Sequence, residues 1–267
     1  HRAMVVTLGD VAASGEALAG SDVVSERLLA AGMAEDVVAE KRVQFAAAAA
    51  HLLSQEGSTR EQSAKIFWVP GRIEVAGKHT DYAGGRSLLA ATSRGFTVVC
   101  TDRDDAQCQI FTTFGHGRGR ASAMLPICVE LQPQAGHWTA YPAVVIRRLA
   151  RNFGISKGIN IAVECDLPES SGMSTSSAVI CYMWMALAER NQIRSSPTFV
   201  ENLRTNEELY TYLGFIENGQ DCGKVLTGDM GVGTFGGSED HTAIMSGEAS
   251  KLKLFSYCPT THERTVN

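Results

Sequence analysis

Residues 159–167 constrain the fold of this chain more than any other stretch. Ile159, Ile161, Val163, Cys165 and Leu167 are apolar at every second position, with Asn160, Glu164 and Asp166 between them. That period of two predicts a half-buried strand with one face toward a core. Residues 168–174, with a proline, a glycine and three serines, break the strand. Residues 176–191 then resume as a mostly apolar helix, with the hydroxyls of Ser174, Thr175, Ser176 and Ser177 at its start able to cap it. A loop in that position aims free backbone N–H groups and the positive end of a helix at whatever lies before it, which makes it an anion site. Its hydroxyls also suit Mg²⁺ carried by nucleotide phosphates. A capped helix start with no ligand is the alternative that spacing alone leaves open.

The other segments fill in an α+β chain. Residues 1–62 are rich in alanine and charge, with helices expected at 25–31 and 35–53, and read as an N-terminal helical extension before a main domain at 63–267. Residues 65–69 suit a short buried strand, and 96–101 with 108–114 look like paired strands joined by a polar turn. Trp138, Tyr141, Val145, Leu149 and Phe153 recur at helical spacing, so 138–152 should be an amphipathic helix. A helix at 206–218, a glycine-rich loop at 228–237 and a strand at 251–257 complete the chain. Strand pairs mixed with long helices argue for α+β over regular βαβ alternation.

Composition narrows the function. At 267 residues, 44% apolar and 20% charged, the chain holds a sizeable core and is not disordered. A net charge of -5 leaves no electrostatic footprint for nucleic acid or an anionic membrane. A small-molecule partner is the better expectation. The seven cysteines are odd in number and form no C-x-x-C pair, as expected of reduced thiols in a cytoplasmic protein. The most apolar run, 178–188, is about half of a membrane span, and no secretory signal pattern opens the chain.

Two further loops are dense in chemistry. Residues 70–85 place Arg72, Glu74, Lys78, His79, Asp81 and Tyr82 between glycines, which suits a sugar or phosphate site. The stretch nearly imitates a P-loop, but five residues separate Gly71 from Gly77 and His79 stands where a metal-binding hydroxyl belongs. A tight hairpin with solvated charges is the plainer alternative. Residues 231–236 fit G-x-G-x-x-G, yet Thr227, Gly228, Asp229 and Met230 before them are no buried strand, so a dinucleotide fold is rejected. Residues 237–241 carry Glu239 and Asp240 on a glycine turn, a place for a catalytic or metal-binding carboxylate. His262 and Glu263 lack a second histidine at zinc spacing and read as surface; no zinc site emerges.

Together, residues 70–85, 168–178 and 236–241 resemble the galactokinase group of the GHMP kinases. That family's first signature, Pro-Gly-Arg-x-Asn-x-x-Gly-Glu-His-x-Asp-Tyr, is matched from Pro70 to Tyr82, and its Gly-Leu-Ser-Ser-Ser loop by Gly172, Met173, Ser174, Thr175 and Ser176. The resemblance implies ATP-dependent phosphorylation of the anomeric hydroxyl of a hexose, galactose first. Asp240 would orient or deprotonate the sugar O1, with Arg72 holding it ionised. Glu74, Lys78, His79, Asp81 and Tyr82 would bind the sugar. Ser171, Gly172, Ser174, Thr175, Ser176 and Ser177 would hold ATP, with Ser176 and Thr175 reaching Mg²⁺. Two positions depart from the signature: Lys78 replaces a glutamate and Glu74 an asparagine. Lys78 raises the alternative of a uronic acid such as galacturonate, unless it pairs with Glu74 and the sugar is still galactose. A non-catalytic sugar- and ATP-binding regulator is a further alternative. The implied fold is a GHMP kinase N-terminal domain, a ribosomal-protein-like α+β unit. The family's ferredoxin-like C-terminal domain and third glycine-rich motif are expected to be missing after Val266.

Overall fold

In the computed structural model, which describes residues 4–16, 22–113, 120–168 and 172–267, the alternating stretch forms β6 (Ile159–Cys165). Its apolar face behaves as the period of two requires, with Ile159, Ile161 and Val163 in the larger hydrophobic core. The opposite face is not left to water. Ala162 on that side is buried in a second core, built largely from N-terminal residues. A strand covered on both faces belongs in the middle of a layered arrangement. Accordingly β6 lies between β3 (Arg86–Asp102), to which it is antiparallel, and β4 (Gln107–Thr112), to which it is parallel.

The sheet continues outward on both sides. Beyond β3 come β2 (Ser63–Ala76) and β1 (Met4–Thr7); beyond β4 comes β5 (Ala121–Pro126). β7 (Leu252–Ser256) pairs with the first part of β3, and β8 (Thr261–Val266) pairs with β7. The expected pairing of residues 96–101 with 108–114 is therefore corrected: β6 lies between those strands. A polar turn favours a hairpin, but α4 (Ala140–Phe153) carries the chain back as a crossover, which brings β6 in parallel to β4.

The N-terminal helices are α1 (Leu8–Ala13), α2 (Val23–Ala30) and α3 (Glu35–Leu53), the last two where helix-favouring composition put them. Residues 4–7 escaped that reading because four residues show no period. α3 lies across β3 and β6, packing Phe45, Ala48, Ala49 and Leu52 against Val99, Phe111 and Ala162. The composition change near residue 62 thus marks a boundary in sequence across which the packing is continuous.

On the other face, α4 packs with α5 (Thr175–Arg190) and α7 (Asn206–Asn218), while the short α6 (Pro197–Asn202) brings Phe199 onto Trp184 with ring centres 5.8 Å apart. A capping box of Thr205 and Glu208 starts α7, and Gly219 in the left-handed region stops it. Arg148 of α4, fully buried, donates to the carbonyls of Gln220 at 2.6 Å and Leu226 at 3.2 Å. That anchors the chain leading through the glycine-rich loop to α8 (Glu239–Ser246). No helix among the described residues is long and apolar enough to cross a membrane.

Candidate active site

The residues singled out between 70 and 76 lie on a strand, because β2 runs on past Val69 to Ala76. Its register against β3 shifts between Pro70 and Arg72, an irregularity of the kind that re-aims a side chain. Arg72 uses nearly all of its fork. Nε donates to Asp240 Oδ1 at 2.6 Å, Nη1 to the Gly172 carbonyl at 2.5 Å, and Nη2 lies 3.2 Å from Glu74 Oε1. The backbone N–H of Arg72 donates to the Met173 carbonyl at 3.4 Å. One guanidinium thus ties together β2, the loop before α5 and the first turn of α8, a geometry suited to arginine and not to a point-charge lysine.

Ser174 precedes α5 with φ 54° and caps nothing; its hydroxyl donates instead to Asp240 Oδ2. The expectation that these hydroxyls cap the helix is corrected on that ground. With no side-chain cap among the described residues, the first-turn N–H groups of α5 remain available to an anion. Ser177 is buried and donates to Glu217 Oε2 at 2.8 Å, while its oxygen lies 3.5 Å from Asp240 Oδ2. Among the expected ATP ligands it therefore faces inward, whereas Thr175 and Ser176 are half-buried and Gly172 is exposed. Ser171 lies outside the described residues.

Asp240 is held as an anion. Burial pushes its carboxyl upward, but the Arg72 charge and the hydrogen bonds from Ser174 and Arg72 outweigh that and leave it below the usual aspartate value. Its side chain keeps 31% exposure, enough for a substrate to reach. The neighbouring Glu239 is the reverse case. It is 3% exposed, its Oε1 has no hydrogen-bond partner, and burial with the charges of Glu74, Asp81 and Asp240 pushes its pKa up to about 7.

Asp81 is buried, and its Oδ2 accepts the Glu239 N–H at 3.0 Å, so it caps α8 from 158 residues away while Ser238, the residue in the cap position, makes no side-chain cap bond. The close approach requires glycine at 237, where a Cβ would stand 2.1 Å from that oxygen. Tyr82 is half-exposed with its ring 6.1 Å from that of the exposed Phe235. Lys78 and His79 are exposed on the turn after β2 and join none of these contacts. Glu74 pairs with Arg72, so the idea that it neutralises Lys78 is corrected.

Two residues of this cluster, Glu217 and His241, drew no role from the sequence, and Glu239 drew only that of an acid on a glycine turn. Glu217 accepts from Ser177 and lies 3.0 Å from Nε2 of His241, itself buried on α8; Glu239 completes the set. Glu217 carried a signal, since it continues the buried face of Tyr210 and Leu213 at helical spacing. Among the described residues no cluster of three or more histidine, cysteine or acidic side chains is arranged to hold a metal.

Two family models match stretches that hold part of this arrangement. A galactokinase galactose-binding signature matches residues 57–102, which hold β2 and β3, and a GHMP kinase N-terminal domain matches residues 140–229. The chain is 32% identical to a galactokinase of Lactobacillus helveticus over 139 residues, 52% of this chain and 36% of that protein. It is 33% identical to one of Staphylococcus saprophyticus over 114 residues, 42% of this chain and 29% of the relative. The matches thus span about a third of the relatives' length. In structure it resembles the Lactococcus lactis galactokinase complexed with galactose, with TM-score 0.61 and 24% identity over 80% of this chain and 49% of that one. A Campylobacter jejuni structure follows at TM-score 0.51 and 17% identity, covering 78% and 59%. Asp240 falls outside both matched stretches, and its place in the site rests on geometry. The chain carries a galactokinase galactose-binding signature followed by a GHMP kinase N-terminal domain, in the mixed α+β fold of that family.

Proposed function

We propose that this chain forms the sugar- and nucleotide-binding part of a sugar 1-kinase, which transfers the γ-phosphoryl group of Mg-ATP to the anomeric hydroxyl of galactose. The observation that carries the reading is the contact of Arg72, Ser174 and Asp240 at the N-terminus of α5, with Asp240 ionised and open to a substrate. Phosphoryl transfer asks a protein mainly to position the reactants and neutralise charge. The uncapped first turn of α5 and the hydroxyls of Thr175 and Ser176 take the phosphates and Mg²⁺. Asp240 accepts the proton of the sugar O1 as the O1–phosphorus bond forms and the bond from the γ-phosphorus to the bridging oxygen of ADP breaks. Arg72 keeps Asp240 ionised and lies beside the transferred group. Asp81, Tyr82 and His79 contact the sugar.

A uronic acid is a second reading, favoured by Lys78, which is exposed and forms no ion pair with Glu74. Against it stand Glu74, Asp81, Glu239 and Asp240, an acidic surround hostile to a second carboxylate. The intact contact of Arg72 with Asp240 supports an enzyme over a non-catalytic regulator. Seven free thiols fit a cytoplasmic setting. Competition between galactose and galacturonate for phosphorylation, repeated in Lys78→Glu, tests the choice. Preference for galactose in both proteins supports the first reading, and loss of galacturonate turnover on substitution supports the second.

A further inference from the structure

We propose that Lys41 is a positioning residue for the phosphate loop, so that the N-terminal helices are a working part of the site; this rests on reading residues 172–177 as that loop. A helix that covers a sheet needs apolar contacts and has no structural use for a buried ammonium, which is costly unless paired. Lys41 of α3 is nonetheless fully buried. Its Nζ donates to Asp166 Oδ2 and lies 4.8 Å from the centre of the Trp68 ring.

Asp166 is the first residue after β6. Its Oδ1 accepts the Gly95 N–H at 2.7 Å and its own N–H donates to the Gly95 carbonyl at 3.3 Å. The backbone at Gly95 packs closely on its neighbour, since a Cβ there would stand 2.2 Å from the Val69 carbonyl. The pair therefore fixes the point at which the chain leaves the sheet. The next residue, Leu167, abuts Gly71, where a Cβ would meet its Cδ2 at 2.6 Å, and the residue after Gly71 is Arg72, which holds the carbonyls of Gly172 and Met173. Lys41, Asp166, Leu167, Gly71, Arg72 and Gly172 thus form one run of contacts from the N-terminal helices to the loop.

A pair that served only to register α3 on the sheet would affect the whole molecule alike. The test is amide hydrogen exchange in Lys41→Met, together with calorimetric binding of a non-hydrolysable ATP analogue with Mg²⁺ and, separately, of galactose. The amides of Arg72 and Ala178, which donate to the Met173 and Ser174 carbonyls of the loop, should exchange at least tenfold faster while those of α7 change less than twofold, and the nucleotide Kd should rise about tenfold with the galactose Kd unchanged. Asp166→Asn, which keeps an acceptor for Gly95 and unpairs only the lysine, should loosen the same amides. Equal acceleration in α7, or protection unchanged at Arg72 and Ala178, overturns the proposal. Local loosening in a protein whose wild type binds no nucleotide upholds the positioning role and overturns the phosphate-loop reading instead.

Discussion

Glu239→Gln should stabilise this protein, and only above acidic pH. In the native chain the carboxyl is buried among Glu74, Asp81 and Asp240, its Oε1 is unpartnered, and its pKa is pushed from 4.5 up to about 7. A native pKa above the unfolded one means that the folded state holds a proton the unfolded chain releases. The stabilisation is complete below about pH 4.5 and is lost as pH rises through 7. The separation, at about 1.4 kcal/mol per pH unit, sets a ceiling of roughly 3 kcal/mol on the penalty for ionising Glu239, and screening brings the expected effect to about 1–3 kcal/mol. Glutamine keeps the shape and never ionises. Urea unfolding of both proteins from pH 4.5 to 8 should give curves that nearly coincide at the acid end and separate by that amount at pH 8, the variant being more stable. Parallel curves across the range, or a variant less stable at pH 8, would mean that Glu239 is not held protonated by the fold.

Other substitutions probe the remaining supports. Asp81→Ala removes the acceptor that caps α8 and should cost about 1 kcal/mol, whereas Asp81→Asn keeps it and should cost less; thermal unfolding separates the two. Arg148→Met strips two buried carbonyls of their donor and should destabilise by about 3 kcal/mol in chemical denaturation, with a disturbed loop at 220–226 visible as faster amide exchange. Asp240→Asn should lower kcat by about 10²–10⁴-fold with little change in the galactose KM, read from steady-state kinetics.

How much of this was legible in the sequence depends on the range of the interaction. Elements with local signals emerged well: β6 from its alternation, α7 as a helix at 206–218, and α3 from composition. Pairing did not, because the turn between β3 and β4 looks like a hairpin and only the crossover through α4 shows that β6 separates them. In the site, Arg72 and Asp240 were found through motifs, and the structure brings them within 2.6 Å. What the motifs could not reveal is the use of the hydroxyls. Ser174 and Ser177 look like caps to any local reading, yet Asp240 and Glu217, far along the chain, take them as donors. The acidity of Glu239 was hidden for a similar reason: it is altered by burial and by the charges of Glu74 and Asp81, which only the fold supplies. Lys41, in a charged helix, gave no sign that it would be buried.

The most direct test of the central claim is phosphorus NMR of the protein incubated with Mg-ATP and galactose, run beside Asp240→Asn. A new anomeric phosphate signal should grow as ATP is consumed and be nearly absent in the variant over the same interval. A signal of equal size in both proteins would remove Asp240 from the chemistry, and consumption of ATP with no sugar phosphate would contradict the assignment of a sugar 1-kinase.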